Sequence, residues 1–363
     1  MGLRTTALFC LLAAPAAADP IRIATWDPGL TRNGPGLLLR DIGREDPQVL
    51  AAAQVIAAAR PDVILLTGID WDHDGRALES FSGTLRKAGL DLSHSFTSRP
   101  NSGMATGLDL NGDGRLGTAD DAQGWGQFTG QNAMAVLSRL PLGAVTDHTG
   151  ALWRDLPGTL MPPDTAPELA AIQRLSSTAH WDVPVETPDG TLHLLAWAAT
   201  PPVFDGPEDR NGRRNHDEAA FWLGHLPDAP FVLIGNFNLD LIDGEGRPEA
   251  LHALLGMAQD PEPRGAWQPP QAGANSRHKG DPALDTADFD DDGPGNLRVD
   301  YILPARALTV TAGGVIWPSP DDPLAPAVQA ASDHRLVWVD LELQPSNAAM
   351  ADQARSRSSA VTQ

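Results

Sequence analysis

The chain has 363 residues, with 47 acidic side chains against 26 basic ones and a formal net charge of −21. So acidic a surface disfavours long duplex nucleic acid as a partner, although it is compatible with a local phosphate site. The one cysteine, Cys10, excludes a disulfide framework and thiolate metal centres.

Residues 1–18, MGLRTTALFCLLAAPAAA, have the shape of a secretory signal. Arg4 is followed by an apolar stretch from Ala7 to Ala14 and by the small residues Ala16, Ala17 and Ala18. That stretch is too short to span a bilayer, and no later one is long and apolar enough to do so. The expected location is the periplasm or the exterior. IRIATW then alternates as a strand. DPQVLAAAQVIAAARPD reads as a helix stopped by Pro61, and VILLTGID as an apolar strand running into a polar loop. ALESFSGTLRKAGL is an amphipathic helix closed by Gly89. Residues 97–130 form a Gly/Asp-rich loop, and NAMAVLSRLPL is a strand. Residues 145–180 are irregular, with a short helix between Ala166 and Leu175. TLHLLAWAAT is a strand and NHDEAAFWLGHL a helix; PFVLIGNFN, LRVDYILPA and RLVWVDLEL are the remaining strands. Mixing β-α-β units with strand-only stretches predicts an α/β sandwich rather than a doubly wound parallel sheet. One domain is expected over residues 19–345, followed by a small, polar, disordered tail over 346–363.

Polar residues recur where strands end: ATWDPGL (24–30), LLTGIDWDHDG (65–75), AMAVLSRLP (133–141), PPVFDGPEDRNGRRNHDE (201–218), GNFNLD (235–240), NLRVDYIL (296–303) and ASDHRLV (331–337). In this order they resemble the endonuclease/exonuclease/phosphatase superfamily. The resemblance covers nearly all of the chain after the signal. It implies a four-layer sandwich of two mixed β-sheets flanked by helices. It also implies hydrolysis of a phosphate-containing substrate with Mg²⁺ or Mn²⁺. That chemistry needs a carboxylate to hold the metal, a base to activate water, and amide or imidazole donors for the transition state.

Four residues carry over from the family pattern. Asn238 matches the amide of the family's GDFN, a transition-state donor. Asp300, in RVDY, matches the carboxylate that orients the catalytic histidine. Asp333 and His334, in SDH, match the closing pair, whose histidine contacts the phosphate. Four positions depart from the pattern. Asp27 stands where the family's TWN has asparagine, and can still ligate a cation. Gly68 stands in place of the metal-binding glutamate. Ala198 replaces a strand-borne histidine, and His193, an odd number of residues earlier, faces the other way. Asn236 replaces the aspartate of GDFN, and an amide is no base at neutral pH.

Asp70 and Asp72 lie two and four residues past Gly68, so a continuing strand would face them the same way as replacement metal ligands; the alternative is a solvated acidic loop. Arg210, Arg213 and Arg214 would either fork onto a phosphate or pair internally with Asp205, Glu208 and Asp209. Trp26 and Trp71 flank the expected site as stacking candidates. DLNGDGRLGTAD (109–120) places Asp109, Asn111, Asp113 and Asp120 at positions 1, 3, 5 and 12 of an EF-hand-like loop, a candidate Ca²⁺ site or else a turn-rich loop. The acid-rich run 285–296 has no position-12 ligand. Three readings follow: a metal-dependent phosphoester hydrolase with a rearranged site, a catalytically inactive binding module of the same fold, or a calcium-dependent interaction protein.

Overall fold

The computed structural model describes residues 19–343; the signal-like segment and the polar tail lie outside the described residues. The strands are β1 (Ile21–Trp26), β2 (Val63–Ile69), β3 (His94–Phe96), β4 (Ala133–Ser138), β5 (Thr146–Asp147), β6 (His180–Thr187), β7 (Gly190–Ala198), β8 (Phe231–Asn236), β9 (Ala287–Asp288), β10 (Asn296–Leu297), β11 (Asp300–Pro304), β12 (Thr309–Val315) and β13 (Val337–Glu342). The helices are α1 (Leu37–Gly43), α2 (Pro47–Ala59), α3 (Arg76–Lys87), α4 (Pro167–Ala170), α5 (Arg210–Ala220), α6 (Glu249–Met257) and α7 (Ala325–Ala331).

A six-stranded sheet runs β12-β13-β1-β2-β4-β3 and a five-stranded sheet runs β11-β8-β7-β6-β5. Both are mixed: β1 is parallel to β2 and β7 to β8, while the other pairs are antiparallel. The inner strands are apolar on both faces because each face meets a core. Ile21 and Ile23 of β1 point between the sheets, as do Val63 and Leu65 of β2 and Met134 and Val136 of β4. Their neighbours Ala24, Trp26, Ile64, Leu66, Ala135 and Leu137 pack instead against α1, α2, α3 and α7. Helices α5 and α6 contribute Ala219, Leu251 and Leu254 to the core around the second sheet. The result is the four-layer α/β sandwich expected from the sequence, and burial on both faces explains why its strands read as apolar runs.

Local chemistry sets the helix ends. Asp46 accepts from Gln48 N (3.0 Å) at the start of α2, and Pro47 occupies its first turn, where a missing N–H costs nothing. Three expectations change. The helix between Ala166 and Leu175 is a single turn, Pro167–Ala170. Helix α5 begins five residues before NHDEAAFWLGHL, at Arg210, and ends at Ala220 in a 3₁₀ turn. Strand β6 begins at His180, where the stretch read as irregular ends; its Pro184 is tolerated on the outer edge, where its carbonyl accepts from Gly143 N (2.8 Å) and only the isolated bridge Leu142–Val185 continues the pairing beyond β5.

The C-terminal ends of β1, β2, β7 and β8 and the N-terminal ends of β4 and β11 all reach one edge of the sandwich, through the parallel pairs and the pairs Ile69–Ala133 and Asn236–Asp300. The candidate site is built there.

Candidate active site

On the second sheet, Ala198, Asn236 and Asp300 stand side by side in register across β7, β8 and β11. Cross-strand partners share a face, so the three positions line one wall. Gly235, before Asn236, has φ +145°, and a Cβ there would overlap the Trp197 carbonyl, so the motif requires glycine. The Asn236 side-chain oxygen accepts from Asn238 N (2.9 Å). An aspartate could make that same bond; the asparagine therefore keeps the loop and exchanges the second carboxylate oxygen for an N–H donor. Asn238 sits at φ 51°, a left-handed conformation that asparagine tolerates, and its Nδ2 donates to Ala199 O (2.7 Å).

On the facing loop, His334 Nδ1 lies 2.8 Å from Asp300 Oδ2. Asp300 also accepts from Thr286 Oγ1 (3.1 Å), and the same hydroxyl accepts from the amides of Val299 and Asp300. With Nδ1 donating to the carboxylate, Nε2 is left for a ligand. Burial opposes the imidazolium, but the charge and hydrogen bond of Asp300, with the charge of Asp27, outweigh it and lift His334 to about 9. At neutral pH the ring is a cation. Its backbone is held by Ser332, whose hydroxyl accepts from His334 N (3.0 Å) and donates to Asp27 O (2.7 Å). Trp26 Nε1 donates to His334 O (3.0 Å).

Gly68 interrupts the register between β2 and β4, as a bulge between Thr67 and Ile69 with φ +66°. A Cβ built on Gly68 would fall within the carboxylate of Asp27. The Asp27 side chain thus fills the volume into which a residue-68 side chain would project. Its Oδ1 accepts from Gly29 N (2.9 Å). Burial raises the Asp27 pKa; His334 and the Gly29 amide act against that, while Asp300 and Asp333 add to it. Sequence reasoning treated the asparagine-to-aspartate and glutamate-to-glycine departures separately; in the structure they meet at one point.

The remaining expected residues lie elsewhere in role. The bulge at Gly68 breaks the alternation that would have aimed Asp70 and Asp72 at a metal. Asp70 is buried and accepts from Thr31 Oγ1 (2.7 Å), Arg32 N (2.9 Å) and Asn132 N (3.2 Å). Asp72 caps α3 through Arg76 N (2.9 Å) and Ala77 N (2.8 Å). Arg214 is buried, and its guanidinium serves the carbonyls of Leu175, Gln123, Arg174 and Ser176. Arg210 donates to Gln173 Oε1 (2.7 Å) and Arg213 to Glu208 O (3.0 Å). These arginines hold loops together through carbonyl and amide oxygens, neither forking onto the site nor pairing with the neighbouring acids. Trp26 is fully buried, so it positions His334 and presents no face to a ligand. Trp71 is half-buried, edge-on to His73. Asp333 is exposed beside His334.

In the 109–120 loop, Asp109 accepts from Gly112 N (2.7 Å), Asp113 N (3.1 Å) and Gly114 N (2.8 Å), and Asn111 from Asp113 N (3.1 Å). The buried acid at its end is Asp121, bound to Leu110 N (2.9 Å) and Thr118 N (3.0 Å), rather than Asp120. Sequence reasoning missed Thr286 and the tethering role of Ser332. Thr286 sits inside an acid-rich run with no local signal; Ser332 was visible in SDH, but its partners come from β1 and the following loop.

The profile of the Endonuclease/Exonuclease/phosphatase family matches residues 33–334. The chain belongs to that family. Similar solved structures include the endonuclease/exonuclease/phosphatase from Beutenbergia cavernae DSM 12333, at 19% identity and TM-score 0.53 over 90% of this chain and 72% of that one. The endonuclease/exonuclease/phosphatase family protein of Leptotrichia buccalis C-1013-b matches at 15% identity and TM-score 0.51, over 89% of this chain and 100% of that one. At these identities the likeness shows the fold. A search of curated proteins finds no match for the chain. The family is one of phosphoesterases and nucleases and is generally metal-dependent.

Among the described residues, no three His, Cys, Asp or Glu side chains converge as a metal cage. A hard cation such as Mg²⁺ needs less, because it keeps waters and takes one or two carboxylates with substrate oxygens. The residues fit that demand. Asp27 is a half-buried carboxylate with one amide donor, and Asp300 Oδ1 is buried without a partner. Among the described residues, no helix is long and apolar enough to cross a membrane.

Proposed function

We propose that this family member is an exported, metal-dependent phosphoester hydrolase whose metal carboxylate has moved from β2 to the end of β1. The observation that carries the reading is that the Asp27 carboxylate fills the space of a residue-68 side chain, in reach of the charges of His334, Asp300 and Asp333. Export rests on the signal-like residues 1–18. A divalent ion held by Asp27 would neutralise charge on the phosphoryl oxygens. The chain's own residues supply the rest. Asn236 and Asn238 offer amide donors to the anion, and the His334 imidazolium, oriented by Asp300, holds a proton at Nε2 toward it. Asn236 also fixes the Asn238 loop, so both donors are set before substrate arrives.

Ala198 and Asn236 leave their positions without a base for the attacking water. General-base catalysis contributes roughly 10²–10⁴-fold, so turnover should be slow beside that of a site with such a base. The same two residues favour a second reading, a phosphate-binding protein without turnover. Hydrolysis of bis(p-nitrophenyl) phosphate with Mg²⁺, Mn²⁺ or Ca²⁺, beside His334→Ala, separates them. The hydrolase reading expects metal-dependent turnover that disappears in the variant. Turnover equal to the variant's with every metal supports the binding reading.

A further inference from the structure

We propose that the loop 273–280 forms a second anion subsite beside the candidate active site, and that the substrate is a small molecule carrying a second phosphate in addition to the reacting phosphoester. The proposal rests on the phosphoester reading of the neighbouring site. Its basis is a cleft of about 380 Å³ lined by Ile242, Asp243, Arg277, His278, Lys279 and Pro294, among others. Lys279 is one of two lysines in the chain. Acids outnumber bases 47 to 26, and several arginines are paired with them, as Arg22 is with Asp340 and Arg298 with Asp260. Arg277, His278 and Lys279, consecutive in sequence, all line the cleft, and their side chains have no hydrogen-bond or ion-pair partner among the described residues.

The loop carrying them is fixed. Asp243, the one carboxylate lining the cleft, accepts from Lys279 N (2.7 Å) on one oxygen and from Gly280 N (2.7 Å) on the other, which pins the loop. Asn275 donates to Asp291 Oδ1 (2.7 Å) and accepts from Asn296 N (2.6 Å), while Ser276 Oγ donates to Gly273 O (2.7 Å). Asp290, on the adjoining turn, accepts from Asp292 N (2.9 Å). A held backbone with free cationic side chains is suited to an arriving anion, because less freedom is lost on binding. The cleft is tied to the site through Asp240, whose Oδ1 accepts from Asp243 N (2.9 Å) and whose Oδ2 accepts from Arg298 N (2.8 Å), two residues before Asp300. Asp243 follows Asn238 by five residues, at most about 17 Å of extended chain, and Pro294 leads through β10 to Asp300. Arginine and lysine side by side suit a phosphate better than a carboxylate, since the guanidinium fork and the ammonium together match its three oxygens.

The test is a calorimetric titration with hexane-1,6-diol bisphosphate and with hexyl phosphate, on the wild type, the Arg277→Ala/Lys279→Ala variant and His334→Ala. The wild type is expected to prefer the bisphosphate by about fivefold to tenfold, as for charge-assisted contacts at an exposed rim. The double variant should lose that preference while keeping its affinity for the monophosphate; His334→Ala should weaken both probes. Equal affinity of the wild type for the two probes overturns the proposal, as does a preference that survives the double substitution. A bisphosphate preference that needs Arg277 and Lys279 but is indifferent to His334 would sustain an anion subsite and sink the reading of the neighbouring site. A 5′-phosphorylated dinucleotide and a polyol bisphosphate, titrated alongside, distinguish the source of the second phosphate, and tighter binding of either that depends on the two residues sustains the proposal.

Discussion

A carboxylate can reach one point in space from more than one strand. Here the point at the site is reached from the end of β1, and the residue across from it on β2 is a glycine with φ +66°. Gly68→Ala should therefore suffer twice, from a backbone conformation unfavourable to L side chains and from overlap with Asp27. The expected loss is about 2–4 kcal/mol of stability, read from urea unfolding. A near-neutral result would mean that Asp27 does not occupy that volume. The second residue-scale prediction concerns His334. Its folded pKa, about 9, lies above the usual 6.5 because Asp300 and Asp27 outweigh the effect of burial. A group raised in this way contributes stability that is fully present below about 6.5 and is lost as pH rises through about 9. Affinity for a phosphodiester, whose own charge is constant over that window, should fall as pH rises through about 9. The fall should vanish in His334→Ala; an unchanged profile in that variant would assign the titration elsewhere.

At the scale of elements, much of the fold was legible because the inner strands are apolar on both faces. VILLTGID and FVLIGNFN announce themselves as buried strands, and Asp46-Pro47 announces the start of α2. Strand β12, TVTAGGV, did not, because it is an exposed edge containing Gly313 and Gly314 and carries no apolar pattern. The dyad of Asp300 and His334 was legible from RVDY and SDH. The carboxylate exchange between Asp27 and Gly68 was not, since its meaning depends on a bulge and on the separation of two strand ends. Asp70 and Asp72 were misread for the same reason: alternation predicts facing only while the strand stays regular. Asp72→Ala tests the revised role. It removes acceptors for two amides at the start of α3 and should cost about 1 kcal/mol of stability by thermal or urea unfolding. Ligand affinity should stay at the wild-type level, and a loss of metal binding would restore Asp72 to the site.

For the whole molecule, the acidity has a local consequence. Asp285 is drawn up to about 7 by burial and then by the charges of Asp240, Asp243 and Asp281. An acid whose folded pKa exceeds its unfolded value of about 3.8 favours the folded state less as pH rises from about 4 to about 7. Asp285→Asn should flatten the pH dependence of the melting temperature across that window and raise it at pH 8. A melting curve with the wild-type slope would show that other carboxylates dominate. Asp285 adjoins Thr286, which holds Asp300, so the acidic cluster borders the wall formed by Ala198, Asn236 and Asp300.

The most direct test of the central claim is a titration of Mn²⁺ followed by electron paramagnetic resonance, on the wild type, Asp27→Asn and Asp72→Asn. The carboxylate at the end of β1 as metal ligand predicts a bound ion in the wild type and in Asp72→Asn, with affinity lost by at least about tenfold in Asp27→Asn. Wild-type affinity in Asp27→Asn, or no bound ion in the wild type, would contradict it.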